Sequence, residues 1–533
     1  MNTINRDQAI AAAPSAWQPL RQRLFLSLWL ASIASSIGTW MHEVGAGWLM
    51  TSLSASPLMV ALVQVAGAAP MFLLALPAGA LADIIDKRKY LLMTQAGMAV
   101  VALVLAILTF AGMMSAPLLL LFTLAMGVGT ALTMPAWSAL TPEVVPAADL
   151  PAAISLSSVG VNVARALGPA IAGIIISLVG PWATFAVNAL SFFAVITVLA
   201  MWRRTPQQPV LPAERLFGAI RVGWRYARSS NHLQRVLVRT LLFFLGASAG
   251  MSLLPLIVRG ELKGSAEQFG ILLGCVGVGA VAGAMFLPWL RRQIAVNQLV
   301  ALASLTYAAV LLALAWVPNF YGLIPVMLIS GAAWIAVLSS LQVSAQTSVP
   351  AWVKARALAV YILVFFGTMA VGGLVWGLLA SWVSISVSLS VAGGVMIAGV
   401  AVGWWVKLPV LVADDLAPSL HWPQPLLSAD VDGERGPVMI TVEYEIAPAD
   451  AEAFKQAMEQ VRRMRNRNGS FSWQLMQDTE NPNLWIELFF DESWLDHLRH
   501  HGRVTRSELK IESSARRFLM PGTQVRIRHL LKG

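Results

Sequence analysis

Residues 79–89 read GALADIIDKRK and end a long apolar run with an abrupt block of charge. The run before them is long enough to cross a bilayer, which takes about 20 apolar residues in a helix. Basic residues that directly follow such a run, here Lys87, Arg88 and Lys89, are typical of short cytoplasmic loops. The stretch therefore predicts a tight connection between two membrane-spanning helices.

Composition predicts that most of the chain lies in a membrane. Of its 533 residues, 57% are hydrophobic and 12% are charged, and the mean hydropathy is +0.69. Soluble domains do not sustain such values over this length. We expect an all-α polytopic membrane protein with twelve transmembrane helices, at residues 24–50, 57–82, 90–113, 117–140, 152–179, 182–202, 236–258, 266–290, 296–317, 321–345, 356–380 and 384–406.

Lys and Arg concentrate in alternate loops, which indicates the orientation of the helices. They precede the first helix, follow the second and fill the connection at residues 204–235, whereas the loops at 111–116 and 180–181 carry no charge. Arg259 and Lys263 are the exceptions. Both termini are therefore expected in the cytoplasm. The net charge of +10 is mostly a consequence of this topology, so we expect no nucleic-acid partner.

The N-terminal residues and the cysteine count exclude further classes of protein. The chain up to Pro19 lacks the apolar core of a cleavable signal peptide, so the first helix is expected to stay in the protein. The single cysteine, Cys275, lies in an apolar segment and offers neither an intrachain disulfide nor a metal cluster.

A weak internal repeat predicts two six-helix halves. Val145-Pro146 recurs as Val349-Pro350, an offset of 204 residues (350 − 146). At the same offset Gly168 aligns with Gly372. The repeat matches the fifth helix to the eleventh, as expected for two parallel halves of a transporter.

Polar residues within the apolar spans are the first candidates for a functional site, because ionisable groups in hydrocarbon are costly. Glu43 lies in the first helix beside His42. We expect Glu43 to face the interior or a water-filled cavity, where a carboxyl can exchange a proton. The alternative is a tilted helix with Glu43 at the outer water boundary. His42 is interpreted as a structural or gate residue. Gln64 of the second helix and Asn188 of the sixth are further cavity candidates, with an interhelical hydrogen bond as the alternative role of each. Aromatic residues that could form a wall for a bulky substrate are also present, although interfacial belts use the same residue types. They are Trp48, Trp137, Trp334, Phe365, Phe366 and Trp376.

The fifth helix carries a polar stripe. Asn162, Arg165 and Pro169 are spaced three and four residues apart and share one face of the helix. Arg165 is a fixed charge at membrane depth and needs a partner. Glu43 is the acidic residue that the sequence places within the apolar spans of the N-terminal half, so a Glu43–Arg165 pair is the simplest hypothesis. The alternative is that Arg165 bonds helix carbonyls and Asn162 and has a structural role only.

Residues 79–89 resemble the signature that joins the second and third helices in the major facilitator superfamily. Its apolar part and the three basic residues match, and Asp86 stands where the superfamily usually has Gly. The resemblance implies a gate on the cytoplasmic side, in which Asp83 caps the N-terminus of the eleventh helix in the outward-facing state. Arg88 would pair with an acid beyond the fourth helix, a position that Glu143 occupies, and the gate also includes Gly79 and Lys87.

The fifth helix, and the chain as a whole, resemble particular subgroups of this superfamily. Gly160, Gly168, Pro169 and Gly173 resemble the antiporter motif of drug-exporting members, with Ala172 at one glycine position. Such small residues let helices pack closely. The full arrangement resembles the transmembrane secretion effector subgroup and, more distantly, the enterobactin exporters. It implies a proton-driven exporter in the inner membrane of a bacterium, with a siderophore-like or other amphipathic small molecule as substrate.

The composition changes after Lys407. Residues 408–437 are rich in Pro and acidic residues and are interpreted as a linker. Residues 438–533 follow the βαββαβ pattern of a ferredoxin-like α+β domain. This domain resembles antibiotic-biosynthesis monooxygenases, which implies a homodimer through it. His497, His500 and His501 crowd one helix and are interpreted as a solvated basic face rather than a metal site, and no catalytic residue set is identified.

The predicted organisation has six parts: a cytoplasmic tail at 1–23, a six-helix half at 24–203, a basic loop at 204–235, a second half at 236–407, the linker and the soluble domain. The leading hypothesis is a secondary active transporter, not an enzyme, that exports a small-molecule substrate in exchange for protons and uses no cofactor or metal. One alternative is a membrane-tethered oxygenase or ligand sensor that acts through residues 438–533. Another is a facilitator without proton coupling.

Overall fold

The computed structural model describes residues 17–202, 216–408, 419, 421–422, 433 and 435–532, without the side chains of 75–76, 80, 83–84, 147, 216–222, 351, 355 and 502. The chain divides into two compact units. The first unit comprises Met1–Ala213, Leu241–Leu338 and Leu363–Gly403, and the second unit comprises Glu214–Thr240, Ser339–Ile362 and Trp404–Gly533.

Within the described residues, twelve helices are long and apolar enough to cross a membrane, as the sequence predicts. A shorter helix lies between the sixth and seventh of them, and a π-helical turn at Ile257–Glu261 extends the seventh. In chain order the helices are α1 (Arg23–Leu53), α2 (Pro57–Ile84), α3 (Lys87–Phe110), α4 (Ala116–Val144), α5 (Leu150–Val179), α6 (Pro181–Met201), α7 (Leu216–Ser229), α8 (Asn231–Leu256), α9 (Ala266–Gln293), α10 (Val296–Trp316), α11 (Phe320–Thr347), α12 (Lys354–Trp382) and α13 (Ile385–Trp405).

Short connections make successive membrane helices antiparallel, so the connections fall into two sets. One set is 54–56, 111–115, 180, 262–265, 317–319 and 383–384, and the end of the helices that carries it is called the short-loop end. The other end carries Lys87 and Arg88 and is called the basic end.

The turn between α2 and α3 explains the departure from the superfamily signature at Asp86. Asp86 is the N-cap of α3, and its side chain accepts a hydrogen bond from the backbone N–H of Lys89 at 3.0 Å. Asp is among the best N-cap residues because its oxygen satisfies a backbone donor that the helix leaves unpaired. An Asp at this position, where the signature usually has Gly, therefore stabilises the start of α3.

Glycines bring α1 into close contact with α5 and α6, all within the first unit. A Cβ at Gly168 of α5 would lie 2.6 Å from Cβ of Trp40, and one at Gly160 would lie 2.8 Å from Cγ1 of Ile33. On the opposite face of α1, a Cβ at Gly45 would lie 2.2 Å from Oγ1 of Thr184. These approaches require glycine and explain the packing side of the fifth-helix motif.

The predicted basic loop contains a helix that the sequence analysis did not assign. Helix α7 lies in the second unit, where Arg225 donates a hydrogen bond to the carbonyl of Gly469 at 3.3 Å and pairs with Glu492 at 3.5 Å. A Cβ at Gly223 would lie 3.0 Å from Cβ of Arg356. Helix α7 thus packs against Arg356 and against the C-terminal part of the second unit.

The C-terminal part of the second unit has the predicted βαββαβ order. Its elements are β1 (Val438–Glu445), α14 (Ala451–Asn468), β2 (Phe471–Gln477), β3 (Leu484–Asp491), α15 (Trp494–Arg503), α16 (Arg506–Arg516) and β4 (Arg526–Leu531). The strands form an antiparallel sheet in the order β2-β3-β1-β4. The second helical segment is broken into α15 and α16 because Thr505 starts a new helix through a capping box with Glu508.

The core of this ferredoxin-like domain lies between one face of the sheet and the helices. Alternate residues of β1, from Val438 to Tyr444, are buried against Phe454, Met458 and Val461 of α14. The alternation of buried and half-buried positions along β1 matches the period of two that predicted the strand.

Candidate functional site

Glu43 occupies an unusual environment in α1. It lies in a densely packed part of the first unit, yet its side chain is exposed, whereas Met41, His42, Val44 and Gly45 are buried. A group that is deep in a protein and still accessible borders an internal space. We therefore expect an interior space beside Glu43, and this assignment stays a prediction.

The face of α1 that carries Glu43 is turned toward the second six-helix half. Gly47 lies one turn further along this face, and a Cβ there would be 3.5 Å from Cγ of Pro255 in α8 and 4.0 Å from Cζ of Phe269 in α9. Ser32 and Ser36 lie on the same face at helical spacing. Glu43 thus ends a polar stripe between the two halves.

Arg165 lies on the corresponding face of α5. Gly168 contacts α1, whereas a Cβ at Gly173 would lie 3.0 Å from Cα of Gly270 in α9. Asn162, Arg165 and Pro169 lie between these two contact faces, and away from the exposed apolar stripe of α5, which includes Val163, Leu167, Ile171 and Ile174. The predicted stripe of α5 therefore faces the same interior as Glu43.

Trp40 links the two charged residues. The Arg165 guanidinium carbon lies 5.7 Å from the centre of the Trp40 ring, and Trp40 precedes Glu43 by three residues in α1. Glu43 is about 15 Å and Arg165 about 21 Å from the short-loop end of their helices, a difference of roughly one turn. The two charges attract each other, but among the described residues neither forms an ion pair. The expected direct pair is not made in this conformation.

The other predicted cavity residues divide between interior and packing positions. His42 is 3% exposed and packs edge to face on Phe185 of α6, with ring centres 5.1 Å apart. It lies away from the cavity, because it is about 100° from Glu43 around the helix. Asn162 donates to the carbonyl of Ser158 at 2.9 Å. Gln64 is half-buried, and its side-chain oxygen has no hydrogen-bond partner among the described residues.

At the basic end, Glu143, which lies in the last turn of α4, is paired as the signature implies, but with a different basic residue. Nζ of Lys87 donates to Glu143 at 2.8 Å. Arg88 instead donates to the carbonyls of Leu199 and Ala200 at the end of α6, at 2.8 and 2.6 Å. The side chain of Asp83 lies outside the described residues.

The two halves meet at the short-loop end. A Cβ at Gly377 of α12 would lie 2.5 Å from Cβ of Ala61 in α2, which complements the contact of Gly173 with Gly270. Trp48 stacks on Phe269 with ring centres 5.9 Å apart. Arg259 donates to the hydroxyls of Thr51 and Ser52, both at 3.0 Å. This residue, an exception in the sequence pattern, joins the ends of α1 and α8.

An aromatic cluster lies in the second half. Phe244 packs edge to face on Phe365 and Trp334, with ring centres 4.5 and 5.1 Å apart. Tyr307 and Phe243 complete the group. Sequence reasoning named Trp334 and Phe365, but only the packing of α8, α10, α11 and α12 unites them.

The interpretation of the histidines as a solvated basic face is wrong. His497 and His500 are each 1% exposed, because α15 turns them toward the sheet. The carboxylate of Asp491 accepts hydrogen bonds from both, at 2.9 and 3.3 Å. The hydrogen bonds to this carboxylate offset the desolvation cost of burying the two imidazole rings.

A second buried cluster of charges in this domain had no sequence signal. Arg465 is 3% exposed and donates to Glu487 at 3.0 Å and to Glu512 at 2.7 Å. Tyr444 also donates to Glu487, at 2.9 Å. Trp422, from the predicted linker, donates to Glu512 at 3.1 Å.

The twelve membrane-spanning helices have the fold of transporters of the major facilitator superfamily. The structure is similar to the nucleoside transporter NupG (TM-score 0.59, 14% identity, covering 72% of this chain and 99% of NupG). It is also similar to a bacterial homologue of the iron transporter ferroportin in an inward-facing state (TM-score 0.55, 15% identity, covering 72% and 97%). These likenesses establish the fold.

Sequence comparison places the protein more narrowly. The profile of the transmembrane secretion effector family matches residues 14–533, and the chain belongs to this family. It is 24% identical to the staphyloferrin A transporter of Staphylococcus aureus (strain NCTC 8325 / PS 47) over 278 residues, which are 52% of this chain and 70% of the relative. It is also 24% identical to the MFS-type transporter YfiS of Bacillus subtilis (strain 168) over 387 residues, which are 70% and 91%.

Proposed function

We propose that the protein is a proton-coupled exporter of a small amphipathic molecule. The observation that carries the proposal is the position of Glu43, whose side chain is accessible within a membrane-spanning helix and lies about one turn from the level of Arg165. A carboxyl in such a place binds a proton when its surroundings are dry and releases it when they are wet. Arg165 favours release because its positive charge stabilises the carboxylate.

The short-loop end supports alternating access as the transport cycle. It is closed by contacts at Gly173, Gly377 and Arg259. Carriers of this fold open one end while the other is closed, by movement of one half against the other. Glu43 then exchanges its proton with one side of the membrane at a time.

The substrate class follows from two features. The half-buried rings of Trp334 and Phe365, which pack on the buried Phe244, offer apolar surface, and the interior stripes of α1 and α5 offer hydroxyl, amide and charged groups. Pockets with this mixture suit amphipathic molecules. One relative transports the siderophore staphyloferrin A, so we propose a siderophore-like or drug-like substrate.

Gradient-driven efflux from proteoliposomes tests the proposal. Glu43→Gln keeps the size of the side chain but stays neutral, so a pH gradient should lose its effect on export of fluorescent dyes and iron-free siderophores. Exposed Glu261 provides the matched control, and Glu261→Gln should behave as the wild type. Wild-type, gradient-driven rates in Glu43→Gln would contradict the proposal.

Two further measurements separate the alternatives. A facilitator without coupling continues to transport when an uncoupler is present, whereas the proposed exporter stops. A chain truncated after Lys407 should retain measurable efflux, which a sensor or oxygenase acting through the C-terminal domain would not require.

We propose an orientation with both termini in the cytoplasm of a bacterial cell and the protein in the inner membrane. Basic residues at the basic end support it. A Cys275→Ala chain with a new cysteine at exposed Lys89 should react with a membrane-impermeant thiol reagent only in opened cells. Labelling in intact cells contradicts this orientation.

We also propose that Asp83, Gly79, Lys87, Arg88 and Glu143 form the gate of the basic end. The Lys87–Glu143 pair supports it. A Cβ at Gly79 would meet no atom within 4 Å in this conformation. A close approach at Gly79 would therefore belong to the other state of the cycle. Asp83→Asn should slow efflux and leave membrane insertion intact, and unchanged efflux contradicts the role.

A homodimer through the C-terminal domain is the remaining proposal about partners. Its sheet has two edge strands, β2 and β4, and edges of this kind pair with other chains. Its own hydrophobic core supports independent folding. Residues 438–533 expressed alone should sediment as a dimer, and a folded monomer at high concentration counts against it.

A further inference from the structure

Three histidines converge on one point of the C-terminal domain. His497 and His501 lie one turn apart on α15, and His529 comes from β4. The distance between Nε2 of His497 and Nε2 of His501 is 3.2 Å, and the candidate ligand nitrogens of all three lie within 4.8 Å of one another. We propose that His497, His501 and His529 form a binding site for a divalent transition-metal ion of the zinc type.

The surroundings of His497 are those of a metal ligand. Oδ2 of Asp491 accepts a hydrogen bond from Nδ1 of His497 at 2.9 Å, and Ser470 donates to the other carboxylate oxygen at 2.7 Å. The proton on Nδ1 leaves the lone pair on Nε2, which points to His501. Carboxylates behind metal-binding histidines fix this tautomer and strengthen the ligand.

The distances fit a tetrahedral ion after a small movement. Zinc bonds to imidazole nitrogens are 2.0–2.1 Å long, which sets ligand atoms about 3.4 Å apart. The distance between His497 and His501 matches this value. The widest separation, 4.8 Å, has to shrink by about 1.4 Å. His501 and His529 are half-buried, and rotation of an accessible ring closes this gap.

Indole rings border the cluster. The Trp422 ring centre lies 5.0 Å from that of His501, and the Trp494 ring centre lies 6.0 Å from that of His529. Three imidazoles suit Zn²⁺, Cu²⁺ and Ni²⁺ better than Mg²⁺ or Ca²⁺, which prefer oxygen ligands. With three protein ligands, a fourth position is left for water or an anion. The ion would join β4 to α15.

Metal binding to the full-length protein in detergent tests the proposal. We expect one Zn²⁺ for each chain in competition with a chromophoric chelator, and Co²⁺ should produce the visible absorption of a tetrahedral ion. His529→Asn, on a half-buried edge strand, should lower the affinity at least tenfold and remove this absorption. His232→Asn, outside the cluster, should bind as the wild type does.

A second variant separates the site from the fold. Asp491→Asn should lower the affinity about 10- to 100-fold, because it removes the partner that orients His497. Equal elution and circular dichroism would show that each variant is folded. If Asp491→Asn does not fold, the His529→Asn comparison decides the question. Wild-type protein without bound Zn²⁺, or unchanged affinity in His529→Asn, would overturn the proposal.

Discussion

The membrane helices and the ferredoxin-like domain differ in how their buried charged groups are paired. In the membrane helices, Glu43 and Arg165 attract each other without an ion pair among the described residues, and His42 and Gln64 keep unpaired polar atoms. In the C-terminal domain, Glu487 and Glu512 each have several hydrogen-bond partners.

The two regions differ in how firmly the surrounding structure holds their polar groups. A fully paired network stabilises one arrangement, because each group loses its partners when the structure opens. Polar groups without fixed partners can exchange protons or ligands at low cost. Loose pairing in the membrane and tight pairing in the domain are therefore consistent with a moving carrier and a rigid appendage.

Loss of Arg465 should have the largest effect among these variants, on the stability of the C-terminal domain. Arg465→Met leaves Glu487 and Glu512 buried without their cation, which should cost about 3–5 kcal/mol of domain stability. Pulse proteolysis of the full-length chain in urea measures this change. Arg462→Met removes an exposed pair on the same helix and should cost under about 0.5 kcal/mol. Equal stability of the two variants would contradict the contrast.

Acidification should weaken the same network. Burial alone would raise the pKa of Glu512, but Arg465, His421 and Trp422 hold it at about 2, below its usual 4.5. Because the folded pKa is the lower one, the stabilisation is complete above pH 4.5 and is lost as the pH falls toward 2. The full loss is about 3 kcal/mol. Pepsin proteolysis in urea across this range measures it, and Glu512→Gln should flatten the pH dependence.

Arg165→Lys tests the loosely paired region. Lysine keeps the charge but lacks the planar guanidinium that lies against Trp40. We expect proton-driven efflux to fall about tenfold, with expression unchanged, if the planar group positions the charge. Arg23→Lys, at an exposed site on α1, should transport at the wild-type rate. Full activity of Arg165→Lys would show that charge alone is sufficient.

The smallest effect is expected at the Lys87–Glu143 pair. Both side chains are partly exposed, at 22% and 15%, so their attraction is screened by water. Lys87→Met should change the balance of transport states by about 0.5–1 kcal/mol, or two- to fivefold in efflux rate. Lys89→Met changes an exposed lysine in the same loop and provides the control. Identical rates in the two variants would remove the pair from the gate.

Much of the fold could be predicted from the sequence because it depends on local patterns. Long apolar runs define the twelve membrane helices, and alternation along Val438–Glu445 defines β1. The candidate stripe of Asn162, Arg165 and Pro169 was predictable because helical geometry alone sets it. Helix α7 was not predicted; its buried residues Tyr226 and Ala227 pack against Val349, Val353 and Ala357, which are distant in the chain.

The sequence by itself determined the family, the number of membrane helices and the residues that carry charge within them. The tertiary structure alone decided what those residues meet. It turned His42 toward Phe185, assigned Lys87 rather than Arg88 to Glu143, and joined His529 to the histidines of α15. These contacts connect residues that are distant in the chain. The periodicity of a sequence identifies the faces of its helices and strands, but it does not show which of them become neighbours.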